Sequence, residues 1–131
     1  MEVFAAGRAF LLGGGPFGDK PHLWVALTDP DPTTNKIVIA HLVTAKPHTD
    51  STVVLNKGDH EFIDRETHVD FAGTLIVPVS RLHRAITRGR CRFHKDVTDG
   101  VLAQLRAGLL SSRRTVHAIA DYCRDRFPSE N

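Results

Sequence analysis

HLWVALT (22–28) and KIVIAHLVT (36–44) decide the fold. Both are apolar runs rich in β-branched residues and bounded by turn formers, so they read as strands. DPDPTTN (29–35) lies between them; its two prolines and two aspartates reverse the chain. The two runs therefore make an antiparallel hairpin with a long loop. Neither run alternates strictly between apolar and polar residues. Nearly continuous apolar character places both at the centre of a sheet.

Working outward, EVFAAGRAFLL (2–12) reads as a first strand. GGGPFGDKP (13–21) follows, with four glycines and two prolines, and reads as a mobile loop or a flap over a site. It is not a P-loop, because no Gly-Lys-Ser/Thr closes it. AKPHTD (45–50) breaks the strand pattern, STVVL (51–55) is a short strand, and NKGDH (56–60) is a turn centred on Gly58. Residues 61–70 are polar and carry no clear period. GTLIVPV (73–79) is a further strand, with Pro78 at an edge or boundary.

Beyond residue 80 the texture changes. Ser80 is placed to cap a short helix, SRLHRAIT, and CRFHK (91–95) is a last short strand. Val101, Leu102, Leu105 and Leu109 recur at helical spacing over 99–110, with Thr98 or Asp99 as cap. A final helix is capped by Ser112 or Thr115, turns Val116, Ile119, Ala120, Cys123 and Phe127 inward, and ends at Pro128. Strands followed by helices predict an α+β fold: a small barrel or strongly bent antiparallel sheet with C-terminal helices packed on it. Residues 1–131 form one domain, mainly β over 1–80 and mainly helical over 81–131.

The 131 residues suit a single domain, and 41% hydrophobic with 24% charged residues suits a globular one. No apolar run approaches the ~20 residues of a membrane span. Arg8 precedes only a short apolar patch, so no signal peptide is expected. Two cysteines, Cys91 and Cys123, make neither a disulfide framework nor a zinc cluster. A cytoplasmic protein with no membrane partner is expected. The net charge of +2 hides an asymmetry. Residues 1–79 carry six Lys/Arg and ten Asp/Glu, residues 80–131 eleven and five. Arg81, Arg84, Arg88, Arg90, Arg92 and Lys95 form a block with no acid among them. That block suits a polyanion such as RNA, or else is a solvated surface.

The chemistry-bearing residues gather at strand ends. Lys20 and His22 stand where the glycine-rich loop enters its strand, Thr44 ends the next strand, and GDHE (58–61) marks the following turn. Strand ends of a hairpin share one rim, so Lys20, His22, Thr44 and His60 make a candidate phosphate-gripping, proton-moving site. Phe17 and Trp24 are candidates for stacking on bases, although Trp24 also reads as a core residue. Eight histidines offer another reading, a metal-dependent hydrolase using His48, Asp50, His60 and His68. The spacing matches no familiar metal site, and His41 reads as a structural residue within its strand. Cys91 lies between Arg90 and Arg92, which would depress a thiol pKa, but no base is placed to activate it.

HLWVALTD and KIVIAHLVT, with Lys20-Pro21 ahead of them and Thr44 behind, resemble the MazF/PemK-type toxin family in order of elements. VPVSRLHRAI (77–86) looks like that family's strand leading into a short helix, so the resemblance covers roughly residues 13–87. It implies an SH3-like barrel, usually a homodimer, that cleaves single-stranded RNA without metal or cofactor and is neutralised by an antitoxin protein. Lys20 would take the phosphate-stabilising role that is usually an arginine's, and Thr44 the site hydroxyl. The GDHEF segment and the two C-terminal helices have no counterpart there. The DPDP and GDHEF layout also resembles a group of uncharacterised bacterial proteins. The leading expectation is a metal-independent endoribonuclease with His22 or His60 as proton acceptor. The alternative is a barrel that binds protein or nucleic acid without catalysis.

Overall fold

The computed structural model describes residues 3–128. Six antiparallel strands form one strongly curled, half-barrel sheet. They are β1 (Ala9–Leu12), β2 (His22–Ala26), β3 (Lys36–Thr44), β4 (Val54–Leu55), β5 (Thr67–Pro78) and β6 (Cys91–His94), in the spatial order β4-β5-β3-β2-β1-β6. Three helices complete the α+β fold: α1 (Val79–Thr87), α2 (Asp99–Ser111) and α3 (His117–Arg124). No helix among the described residues is long and apolar enough to cross a membrane.

The continuous apolar runs find their explanation in two cores, one on each face of the sheet. Leu23, Val25 and Leu27 of the first strand run, with Val38, Ala40 and Leu42 of β3, pack against Val101, Leu105 and Leu109 of α2 and Cys123 of α3. Trp24, Ala26, Ile37 and Ile39 point the other way, onto Leu82 and Ala85 of α1 and onto Phe17. Period-2 alternation sends neighbouring side chains to opposite faces, so covering both faces requires apolar residues at every position.

Several boundaries depart from the sequence reading for local reasons. The first strand begins only at Ala9, because Gly7 kinks the chain at φ 90° and donates to the Ala26 carbonyl at 2.8 Å; Glu2 lies outside the described residues. The unpatterned stretch before residue 71 proves to hold the start of β5, which runs unbroken in sequence to Pro78 but carries a bulge. Ser80 does not cap α1. The helix starts directly at Val79, whose N–H donates to the Asn35 carbonyl at 3.0 Å, so the strand holds the chain until the helix begins. Thr98 does cap α2, accepting from the Val101 N–H at 3.2 Å. Neither Ser112 nor Thr115 caps α3: Ser112 donates to Asp50 and Thr115 to the Leu109 carbonyl. Val116 precedes α3 and is exposed instead of turned inward. In the 13–21 loop the Gly14 N–H donates to the Gly18 carbonyl at 2.6 Å, and Phe17 is buried edge-on against Trp24.

The sheet stays open between its two outer strands, β4 and β6. The 56–63 turn spans that seam. His60 Nε2 hydrogen-bonds the Lys95 carbonyl at 2.5 Å, and Phe62 packs edge-on against His94.

Gly108 lets helix α2 approach the sheet closely. A Cβ there would overlap Val53 and stand 2.9 Å from the edge of the Phe71 ring. Alanine is the better helix former by about 1 kcal/mol, but overpacking a filled core costs about 1–3 kcal/mol. Gly108→Ala is expected to lower stability, measured by denaturant unfolding. Gly100→Ala, whose nearest neighbour would be Thr98 Oγ1 at 3.9 Å, is expected to leave it unchanged or raise it. Equal effects at the two positions would contradict the close contact.

Candidate functional site

A cleft of about 560 Å³ lies at the open end of the β2–β3 hairpin. Residues 20–23 enter β2 along one wall and 42–44 leave β3 along the next. The loop after β3 adds Lys46, His48 and Thr49, and the 62–65 turn adds a third side. Lys20, Lys46 and Arg65 give the cleft three cations against one carboxylate, Asp64. The hydrogen bond and charge of Arg65, whose Nε lies 3.1 Å away, lower the pKa of Asp64, which stays ionised. Both partners are largely exposed, so this pair binds weakly and yields to a better anion. Thr44 supplies a hydroxyl, those of Thr49 and Thr67 being engaged with His68 and with the Lys46 and Arg65 carbonyls, and Leu23, Leu42, Phe62 and Ile63 supply apolar floor.

The structure brings Lys20, His22 and Thr44 to this one cleft, but with a difference of face. Trp24 pairs with His41, so the register continues with His22 opposite Val43, not Thr44. The His22 ring accordingly packs 4.9 Å from the His41 ring, beside Trp24, while its residue borders the cleft at the rim. His60 is not brought to the cleft. It is buried, its Nδ1 accepts from the Phe62 N–H at 3.0 Å, and its Nε2 is spent on Lys95. Both nitrogens are used, which makes His60 part of the seam in place of the rim. His48, which the sequence reading weighed only as a metal ligand, lies in the cleft and is exposed.

A carboxylate–imidazole pair stands on the sheet face that carries Trp24. His41 Nε2 is 3.3 Å from Asp70 Oδ2. The pairing of β3 with β5 jumps here, from Ile39 opposite Leu75 to His41 opposite Asp70. The chain between, Phe71–Thr74, bulges out and is held by the Thr74 hydroxyl donating to the Phe71 carbonyl at 2.8 Å. Only glycine fits at position 73: a Cβ would stand 2.7 Å from Asp70 Oδ2 and 2.9 Å from His41 Cε1. Desolvation lowers the pKa of His41; the Asp70 charge opposes this and the neighbouring His22 adds to it.

The residues of the metal reading do not converge. Asp50 is buried and accepts from Ser112 Oγ at 2.5 Å and from both the N–H and hydroxyl of Thr52. Burial alone would raise its pKa, but these hydrogen bonds and the charge of Arg114 outweigh it and lower it. His68 is buried between Thr49 Oγ1, 2.7 Å from its Nδ1, and Glu66, 3.4 Å from its Nε2. Among the described residues, no group of three or more His, Cys, Asp or Glu is placed to hold a metal ion.

The basic block divides. Arg81, Arg84, Arg88 and Arg90 line a small hollow beside the glycine-rich turn, and Arg92 joins Arg90 in the neighbouring one. Lys95 lines neither and offers its carbonyl to the seam. Cys91 does not feel its flanking arginines as a reactive thiol would, because burial pushes its pKa up to about 11. Alternation turns its side chain inward and Arg92 outward.

The cleft residues missed in the sequence lie in 45–50 and 61–65, stretches with no period to place them. No known family, curated protein or solved structure matches this chain.

His41 gives a pH dependence with a defined sign. The folded chain holds it neutral at pH values where the unfolded chain, with an ordinary pKa of 6.5, takes up a proton. The unfolded state then binds more protons, so the stability His41 contributes is full above about 6.5 and is lost as pH falls below it. The melting temperature is expected to drop between pH 7.5 and pH 5, and His41→Gln is expected to flatten that drop. An equally steep drop in the variant would assign the effect elsewhere.

Proposed function

We propose that the chain is a metal-independent endoribonuclease acting on single-stranded RNA in the β2–β3 cleft. The observation that carries this is the concentration of Lys20, Lys46 and Arg65 with Thr44 and His48 around one open hollow floored by apolar side chains. Such a site holds a phosphate by charge and hydroxyl contacts, and offers flat apolar surface to a base. In this reading the 2′-oxygen attacks the adjacent phosphorus. The P–O5′ bond breaks, leaving a cyclic phosphate and a free 5′-hydroxyl. A histidine takes the 2′-hydroxyl proton, and the departing oxygen gains one. His48, exposed within the cleft, is the candidate for proton transfer, while the His22 ring lies on the opposite face against His41. Lys20 stabilises the developing charge and Thr44 orients the phosphate. A homodimer and a neutralising antitoxin belong to the same reading, and light scattering of the purified chain tests the first.

A second reading, a barrel that binds nucleic acid without cutting it, is favoured by one observation. The imidazoles paired to a carboxylate, His41 with Asp70, His68 with Glu66 and His117 with Asp121, all belong to residues outside the cleft lining.

The separating experiment is cleavage of a labelled single-stranded RNA in excess chelator. Lys20→Ala and His48→Ala are expected to lower the rate by about 10²–10⁴-fold, the usual range for losing a group that moves a proton or stabilises charge in the transition state. Binding with no cleavage by the unaltered chain would establish the second reading. His60→Ala serves as the contrast. It strands the Lys95 carbonyl and the Phe62 N–H and is expected to cost about 1–3 kcal/mol of stability with little change in rate per folded molecule.

A further inference from the structure

We infer that the arginine hollow beside the glycine-rich turn is a second phosphate subsite, and that one nucleic-acid strand runs from the cleft over Pro21 into it. This rests on the reading of the cleft as a nucleic-acid site and adds a path and a minimum ligand length.

The first observation is unspent charge. Arg81 and Arg84 lie on one face of α1, Arg88 caps its C-terminal end, and Arg90 follows. With Gly14 and Phe17 they enclose a hollow of about 120 Å³ whose lining contains no carboxylate. Among the described residues, none of these four arginines has an ion pair or a side-chain hydrogen bond. Most other arginines are engaged: Arg126 with Asp31, Arg106 with the Leu27 carbonyl, Arg114 with the His48 carbonyl. Four neighbouring guanidiniums repel each other, and a polyanion relieves that repulsion while releasing counterions.

The second observation is a fixed wall. The Gly13 N–H donates to the Arg90 carbonyl at 3.2 Å, tying the glycine-rich turn to the α1–β6 connection. Phe17 anchors the same turn in the core. A Cβ on Gly14 would lie 3.0 Å from Arg90 Cδ, so the stem of Arg90 already lies along the turn. A guanidinium held this way loses little freedom on binding.

The third observation is continuity. Pro21 borders both the cleft and a middle hollow of about 430 Å³. Gly14 and Arg90 border both the middle hollow and the arginine hollow. The middle hollow adds Arg92, with Asp19 as its one carboxylate. The surface therefore offers a positive track with cation-rich hollows at each end. A duplex, with a persistence length of about 50 nm, does not bend around such a path, whereas a single strand does.

The experiment is anisotropy titration of labelled oligouridylates of increasing length at several salt concentrations, using the unaltered chain and an R81A/R84A/R88A variant. All three arginines are exposed, and melting curves confirm that the variant folds; Arg84→Gln alone is the fallback. Short oligomers that occupy only the cleft are expected to bind both proteins equally. Longer ones are expected to bind the unaltered chain more tightly and to lose that gain in the variant. The log–log salt slope for long oligomers is expected to fall by about 2 in the variant, at about 0.7 per single-strand phosphate contact. Equal length dependence and equal slope in both proteins would overturn the track and leave the cleft reading standing. Duplex RNA binding as tightly as the single strand would also overturn it. No binding of any oligomer by the unaltered chain would overturn the cleft reading, and the track with it.

Discussion

Leu23, Val25 and Leu27 bury one face of the central hairpin while Trp24, Ala26, Ile37 and Ile39 bury the other, and along that length no side chain is left to meet water. Each fully buried aliphatic or aromatic side chain is worth about 1.5–3 kcal/mol, so exposing either face would cost an amount comparable to the whole net stability of a typical domain. The rest of the chain follows from that. Helices α2 and α3 must cover one face. Helix α1 and Phe17 must cover the other. The glycine-rich turn is drawn in because Phe17 sits on it, and the arginines of α1 face outward because Leu82 and Ala85 face in. Only the ends of β2 and β3, where Pro21, His22 and Thr44 interrupt the apolar run, remain available to line a cleft.

Charge is distributed according to the same plan. Asp50, His60 and His68 are buried, and each is matched by hydrogen bonds that tie a loop to the sheet or helices. The cations of the cleft and of α1 are exposed, and among the described residues those of α1 have no ion pair. A polar group whose hydrogen bonds are satisfied inside the fold is poorly placed for chemistry. Exposed cations held on a rigid frame are well placed to meet an anion. This division separates residues that looked alike as sequence: His48 and His60 are both loop histidines, and only His48 borders the cleft.

The fold was legible where hydrophobic period and turn chemistry agree. β3 spans the run read for it, α2 exceeds its read span by one residue and starts from its Thr98 cap, and the hairpin pairs as read. Lys20 and Thr44 were found because hairpin ends must meet. The misplacement of His60 has a plain cause: a turn signal fixes where the chain reverses but not which neighbour the turn reaches, and the Lys95 carbonyl lies 35 residues away in sequence. The facing error for His22 is a matter of register, since one residue of offset reverses the side a strand residue points to. The start of β5 escaped notice because the bulge at Phe71–Thr74 breaks the alternation that would have joined 67–70 to the later run. Gly73 was the one mark of that bulge, and its reason, the space needed by His41 and Asp70, is a contact between strands that no local pattern encodes.

The seam between β4 and β6 has a meaning for how such a chain changes over time. The ladder ends at both outer strands, and the 56–65 stretch lies between β4 and the Ala45–Glu66 backbone hydrogen bond with no strand pairing of its own. It is held through His60, Phe62 and the buried Ile63. Yet the same stretch supplies Ile63, Asp64 and Arg65 to the cleft wall. Change at the exposed Asp64 and Arg65 can therefore alter the charge of the cleft wall while the doubly covered hairpin stays untouched, so cleft charge and folding rest on nearly separate sets of residues.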